Sequence, residues 1–116
     1  MANLQTSTPT KIKAPHGARV FEISWSDGHI HRIEHKVLRG YCPCAQCQGH
    51  HGVTRFVAGG DLELREISRV GNYALGITWG DGHNGGIFSF EYIRRLGDLV
   101  DQMGFEALCG LERLPP

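Results

Sequence analysis

Between Val20 and Trp25 apolar and polar residues alternate, with Phe21, Ile23 and Trp25 on one side and Glu22 and Ser24 on the other. A period of two is the signature of a half-buried strand. Asp27-Gly28 supplies the residues that a two-residue hairpin turn prefers, so Ile30 to Ile33 is read as the partner strand. His35 to Arg39 has room for a single helical turn. Leu62 to Val70 reads as another strand, bulged between Leu64 and Ile67, where the alternation slips by one. Gly71-Asn72 turns the chain, and Tyr73, Leu75, Ile77 and Trp79 then recur in alternate positions. After Ser89 the period changes. Phe90, Ile93, Leu96, Gly97, Val100 and Met103 recur at helical spacing, Ser89 can cap, Glu91 lies in the first turn, and Gly104 or Gly110 ends the helix. That apolar stripe is read as core packing. Residues 1–16, interrupted by Pro9 and Pro15, read as a flexible lead-in, with order from Ala18. Residues 17–110 form the domain and 111–116 a tail. The expected fold is α+β: a small single domain of short antiparallel strands and hairpins with one main C-terminal helix.

The pattern is also repeated. Trp25-Ser26-Asp27-Gly28-His29 is echoed 54 residues later by Trp79-Gly80-Asp81-Gly82-His83. Each copy reads as strand, turn, strand, then a turn or helix ending in an apolar-Arg pair, Leu38-Arg39 and Ile93-Arg94. A tryptophan packs a sheet and Asp-Gly turns it, which accounts for every position of the motif except the histidine. A histidine just after a tight turn projects from the end of a hairpin, where a metal site can be assembled.

Composition narrows the function classes. The 116 residues suffice for one core without disulfides. Twelve basic and twelve acidic residues cancel, which argues against electrostatic capture of nucleic acid or an anionic membrane. No segment is apolar over the ~20 residues of a membrane span. Met1 to Thr10 is polar and lacks a signal-peptide core, so a cytoplasmic location is expected. There a cysteine cluster points to metal or redox chemistry rather than disulfides.

Such a cluster exists. Cys42-Pro43-Cys44-Ala45-Gln46-Cys47 holds three thiols in six residues. Thiolates this close repel one another and oxidise readily, and a soft cation removes both problems. A tetrahedral site needs a fourth ligand. His50 and His51 are nearest in sequence, Cys109 lies in the C-terminal region, and His83 or its repeat partner His29 would arrive through the fold.

Taken together, Trp25-Ser26-Asp27-Gly28-His29, the run Leu38-Arg39-Gly40-Tyr41-Cys42-Pro43-Cys44-Ala45-Gln46-Cys47 and Ile77-Thr78-Trp79-Gly80-Asp81-Gly82-His83 resemble the small domain at the N-terminus of gamma-butyrobetaine hydroxylases. That domain is also found as free-standing bacterial proteins of unknown function and fused to P-loop ATPases that carry iron–sulfur clusters. The likeness spans Ala18 to Leu99. It implies one zinc ion held by Cys42, Cys44, Cys47 and His83, and an α+β fold of short antiparallel strands.

The resemblance does not bring catalysis with it. A 2-oxoglutarate oxygenase needs a larger barrel and an H-x-D iron motif, and the chain contains no H-x-D. It has no phosphate-binding loop and no nucleophile elbow. The expected function is a non-catalytic zinc module acting as an interaction or accessory domain for an unknown protein partner, such as an oxygenase or iron–sulfur assembly protein. The alternative is an accessory or carrier protein in iron–sulfur metabolism, since three thiolates and a histidine can also hold a cluster.

Overall fold

Both alternating segments are strands, each at the centre of a three-stranded antiparallel sheet. The structure, a computed structural model, describes residues 8–15, 17, 19–42, 62–80, 82–83 and 86–111. The first sheet has the order β1 (Pro9–Lys13), β2 (Val20–Trp25), β3 (Ile30–Glu34), and the second the order β4 (Leu64–Val70), β5 (Ala74–Trp79), β6 (Gly86–Ser89). Helix α1 (His35–Gly40) follows β3, and α2 (Phe90–Met103) with the short α3 (Phe105–Cys109) follows β6. The fold is therefore the expected small α+β domain. Among the described residues no helix is long and apolar enough to cross a membrane.

The sequence repeat is a structural duplication, and its two halves match in detail. Trp25 and Trp79 each donate their amide N–H to the carbonyl of the histidine four residues on, at 2.8 and 2.9 Å, and each accepts from the intervening glycine. Gly28 and Gly82 hold φ of 90° and 89°. This is a three-residue loop with a glycine bulge, not the two-residue turn expected from Asp-Gly. The glycine occupies the third loop position, where positive φ is required. Bulges recur at matching places, between Pro9 and Lys11 in β1 and between Leu64 and Glu66 in β4. Both helices even start alike: His35 donates its N–H to Arg19 and Phe90 to Tyr73.

Two further expectations are corrected. Pro9–Lys13, read as part of a flexible lead-in, is strand β1, paired with β2. Proline usually interrupts a strand, yet Pro9 stands at the first residue of an edge strand, where it forfeits no ladder bond. Tyr73, expected to share the buried face of β5, lies in the turn and is 60% exposed, whereas Leu75, Ile77 and Trp79 are buried.

The core lies between the sheets and helices. Phe21, Ile23 and Trp25 of β2 meet Leu75, Ile77 and Trp79 of β5, with Ile93 and Leu96 of α2. Ser89 caps α2 by accepting the Tyr92 N–H at 3.0 Å. Each indole is met by the helix of the other repeat: the Arg94 guanidinium lies 5.5 Å from the Trp25 ring, and the His35 ring 5.6 Å from that of Trp79. At the end of α1 the fully buried Tyr41 donates its hydroxyl to the Leu108 carbonyl at 2.8 Å and accepts the Tyr92 hydroxyl at its own carbonyl at 2.6 Å. The root of the cysteine segment is thereby fastened to α2 and α3.

His35 is buried neutral. Burial holds its pKa below the ordinary 6.5, with Arg19 adding and the hydrogen bond to the Leu62 carbonyl (2.8 Å) opposing. Above about pH 6.5 folded and unfolded chains are both unprotonated here. Below it the unfolded chain takes up a proton that the folded chain refuses, so stability falls by up to about 1.4 kcal/mol per pH unit. The denaturant midpoint should therefore drop between pH 7.5 and 5.5, and His35→Gln should drop less steeply. Some slope should persist in the variant, because His31 is also buried with a lowered pKa. Identical slopes would clear His35 of this role.

Candidate metal centre

Of the residues singled out by the cysteine pattern, two fall where their contact is visible. Cys42 follows the last turn of α1 and is fully buried. His83 follows the Trp79–Gly82 turn of the second hairpin. Although 41 residues apart, Cys42 Sγ and His83 Nε2 approach to 3.5 Å. Zinc with a thiolate at 2.3 Å and an imidazole at 2.0–2.1 Å would set a tetrahedral S···N edge of about 3.5 Å. The same separation serves a hydrogen bond to sulfur, so the pair is preset for either. Space for the sulfur is provided by Gly86, where a Cβ would stand 2.8 Å from Cys42 Sγ. Cys44 and Cys47, with the alternative ligands His50 and His51, lie outside the described residues. Cys109, the remaining alternative, is partly buried in α3, where burial pushes its thiol pKa up. That makes it a poorer thiolate donor and fits packing against the core.

The corresponding corner of the first repeat contains a second donor group, and the sequence reading touched it only through His29. His29, His31, Asp98 and Asp101 place one potential ligand atom each within 4.8 Å of the others, an arrangement that could hold a metal ion. The geometry comes from two periodicities. His29 and His31 are two apart at the start of β3 and share a face, and Asp98 and Asp101 are three apart on α2 and share a face. Those spacings were readable in the sequence. The meeting of strand and helix, 67 residues apart from His31 to Asp98, was not.

Proton placement within this group follows from the indole. Trp25 Nε1 lies 2.9 Å from His31 Nδ1, and an indole N–H can only donate. The His31 proton is therefore on Nε2, donated to Asp98 Oδ1 at 2.9 Å, with Asp101 Oδ2 at 3.4 Å. His31 is wholly buried, and burial lowers its pKa, opposed by the hydrogen bond it donates to Asp98. His29, Asp98 and Asp101 have side chains 43%, 45% and 49% exposed. His29 Nε2 lies 3.1 Å from Asp101 Oδ2, and its ring centroid 4.3 Å from that of His31.

Corresponding positions in the two corners exchange bulk. His31 pairs with Ile23 across its sheet as Gly86 pairs with Ile77 across the other. Seven residues past the start of each helix stand Cys42 and Gly97. In one corner the strand carries the large residue and the helix the glycine; in the other the strand carries the glycine and the segment just after α1 the cysteine. A Cβ on Gly97 would come within 2.3 Å of His31 Cγ. The exchange also explains why the buried Trp79 Nε1 has no hydrogen-bond partner among the described residues, for the strand position that supplies an acceptor to Trp25 is glycine here.

The family model described as gamma-butyrobetaine hydroxylase-like, N-terminal, matches residues 12–94. A crystal structure of a protein of unknown function of the DUF971 family from Acidithiobacillus ferrooxidans is 40% identical, covering 78% of this chain and 92% of its own, with a TM-score of 0.59. Two NMR solution structures are similar at 26% and 25% identity. They cover 94% and 90% of this chain, and 81% and 83% of their own, with TM-scores of 0.74 and 0.68. Curated protein sequences gave no match.

Gly97→Ala tests the close approach. In an open helix the change would stabilise by about 1 kcal/mol. Here the methyl meets an imidazole held on both sides, and overpacking of this kind costs typically 1–3 kcal/mol, with the steepness of this clash placing it at the upper end. Urea denaturation should show a net loss of about 2 kcal/mol. Stability equal to or above wild type would mean that His31 does not sit against the helix backbone.

Proposed function

The chain belongs to the gamma-butyrobetaine hydroxylase-like N-terminal domain family, and on that premise we propose that it is a non-catalytic module built around a structural zinc ion held by Cys42, Cys44, Cys47 and His83. The observation that carries this reading is the 3.5 Å approach of Cys42 Sγ to His83 Nε2, two residues brought together only by the fold. The vacancy at Gly86, which leaves room for the sulfur, supports it further. Four protein ligands leave zinc no open position for activating water, so the ion ties the segment after α1 to the second hairpin rather than performing hydrolysis. Oxygenase chemistry forms no part of the proposal, since the chain lacks the H-x-D motif that such iron sites use. We place the module in the cytoplasm, where the thiols stay reduced, as an interaction or accessory domain for a separate protein.

Metal content and the visible spectrum of protein purified without oxygen test the identity of the ion. One colourless zinc per chain is expected. Iron with acid-labile sulfide and absorption near ~400 nm would replace zinc by a cluster and make the chain an iron–sulfur accessory protein. The ligand set is tested separately. His83→Ala should release most of the bound metal to a chelator under conditions where His50→Ala and His51→Ala retain it. Equal retention in all three variants would remove His83 from the site.

A further inference from the structure

The two corners of the duplication are equivalent in backbone but opposite in donor chemistry. Each has a histidine directly after the hairpin turn, facing the helical segment that follows the other repeat's sheet. Around His83 the neighbour is a thiol; around His29 the neighbours are two carboxylates and a buried imidazole. We propose that the first corner is a second, independent cation site, with His29 Nε2 and the carboxylates of Asp98 and Asp101 as ligands for a divalent ion of the Mn2+ or Fe2+ class.

His31 belongs to this site without being a ligand. The Trp25 N–H occupies its Nδ1, so its Nε2 must keep a proton and has no lone pair for a metal. It can instead donate to Asp98 at 2.9 Å, with Asp101 at 3.4 Å, orienting the carboxylates from beneath. His31 is thus a positioning residue, and Gly97 is the opening in α2 through which it reaches them. The three ligating side chains are each about half exposed, which leaves the outward side to water. One imidazole, two carboxylates and waters suit a borderline-to-hard cation, whereas thiolates select a softer one. Arg94 competes from the rim: its Nε lies 3.7 Å from Asp98 Oδ1, while its Nη1 is paired with Asp27 at 3.1 Å. Removing that charge should strengthen the site.

Mn2+ is the probe, titrated into the full chain as purified and followed by loss of the free-ion EPR signal. One saturable Mn2+ per chain is expected. His29→Gln and Asp101→Asn, both surface changes, should each weaken it at least about tenfold, and Arg94→Gln should tighten it. His83→Ala should leave Mn2+ binding unchanged while losing the metal of the cysteine corner, so that failure of one site does not imply failure of the other. Absence of saturable Mn2+, or Mn2+ binding indifferent to both His29→Gln and Asp101→Asn, would overturn the second site and leave only an ion-paired clasp. Loss of Mn2+ on His83→Ala in folded protein would likewise assign the ion to the other corner.

Discussion

The close approach of a strand to the helix, or to the segment just after the helix, of the opposite repeat, made possible by one glycine at each contact, is the constraint on which this structure turns. In one corner Gly97 of α2 receives the His31 ring; in the other Gly86 of β6 receives the Cys42 sulfur. A side chain in place of either glycine would force its neighbour to move. Burial of Phe21, Ile23, Trp25, Leu75, Ile77 and Trp79 follows from the sheets' alternation, whereas the approach of β3 to α2 and of β6 to Cys42 depends on these two glycines. A glycine inside α2 costs helix stability by itself, so its presence there is explained by the imidazole it admits.

Duplication followed by an exchange of bulk gives a small chain two different chemistries on one backbone plan. Matching turns, bulges and helix starts place a histidine at the same point of each repeat. What stands opposite that histidine then decides the character of the corner: sulfur from the segment after α1, or carboxylates from α2. The hydrogen bond from Trp25 marks the difference most sharply, since it commits His31 to one tautomer and so to a supporting part.

Much of the architecture was legible in the sequence because it depends on local period. The faces of β2, the slip within β4, the Ser89 cap and the W-x-D-G-H repeat all rest on residues within a few positions of one another. The parts that were missed depend on tertiary pairing. Strand β1 looked broken by prolines until an edge position made Pro9 harmless. Asp-Gly fits both a two-residue turn and the three-residue bulged loop found here, so sequence alone does not separate them. His31, Asp98 and Asp101 carry no shared motif, and only the contact of β3 with α2 makes them a group. For Cys42 the family resemblance selected His83 among several possible partners, a choice spacing alone left open.

Trp25 and Trp79, alike in sequence and in backbone, are unlike as chromophores. The Trp25 N–H is bonded to a histidine and its ring lies under a guanidinium, whereas the Trp79 N–H, beside His35, is buried with no partner among the described residues. An indole's emission energy follows the polarity and hydrogen bonding around it. The chain therefore places its two indoles, one at each corner, in different polar surroundings, so that emission from a single-tryptophan variant would report on the carboxylate side or on the sulfur side.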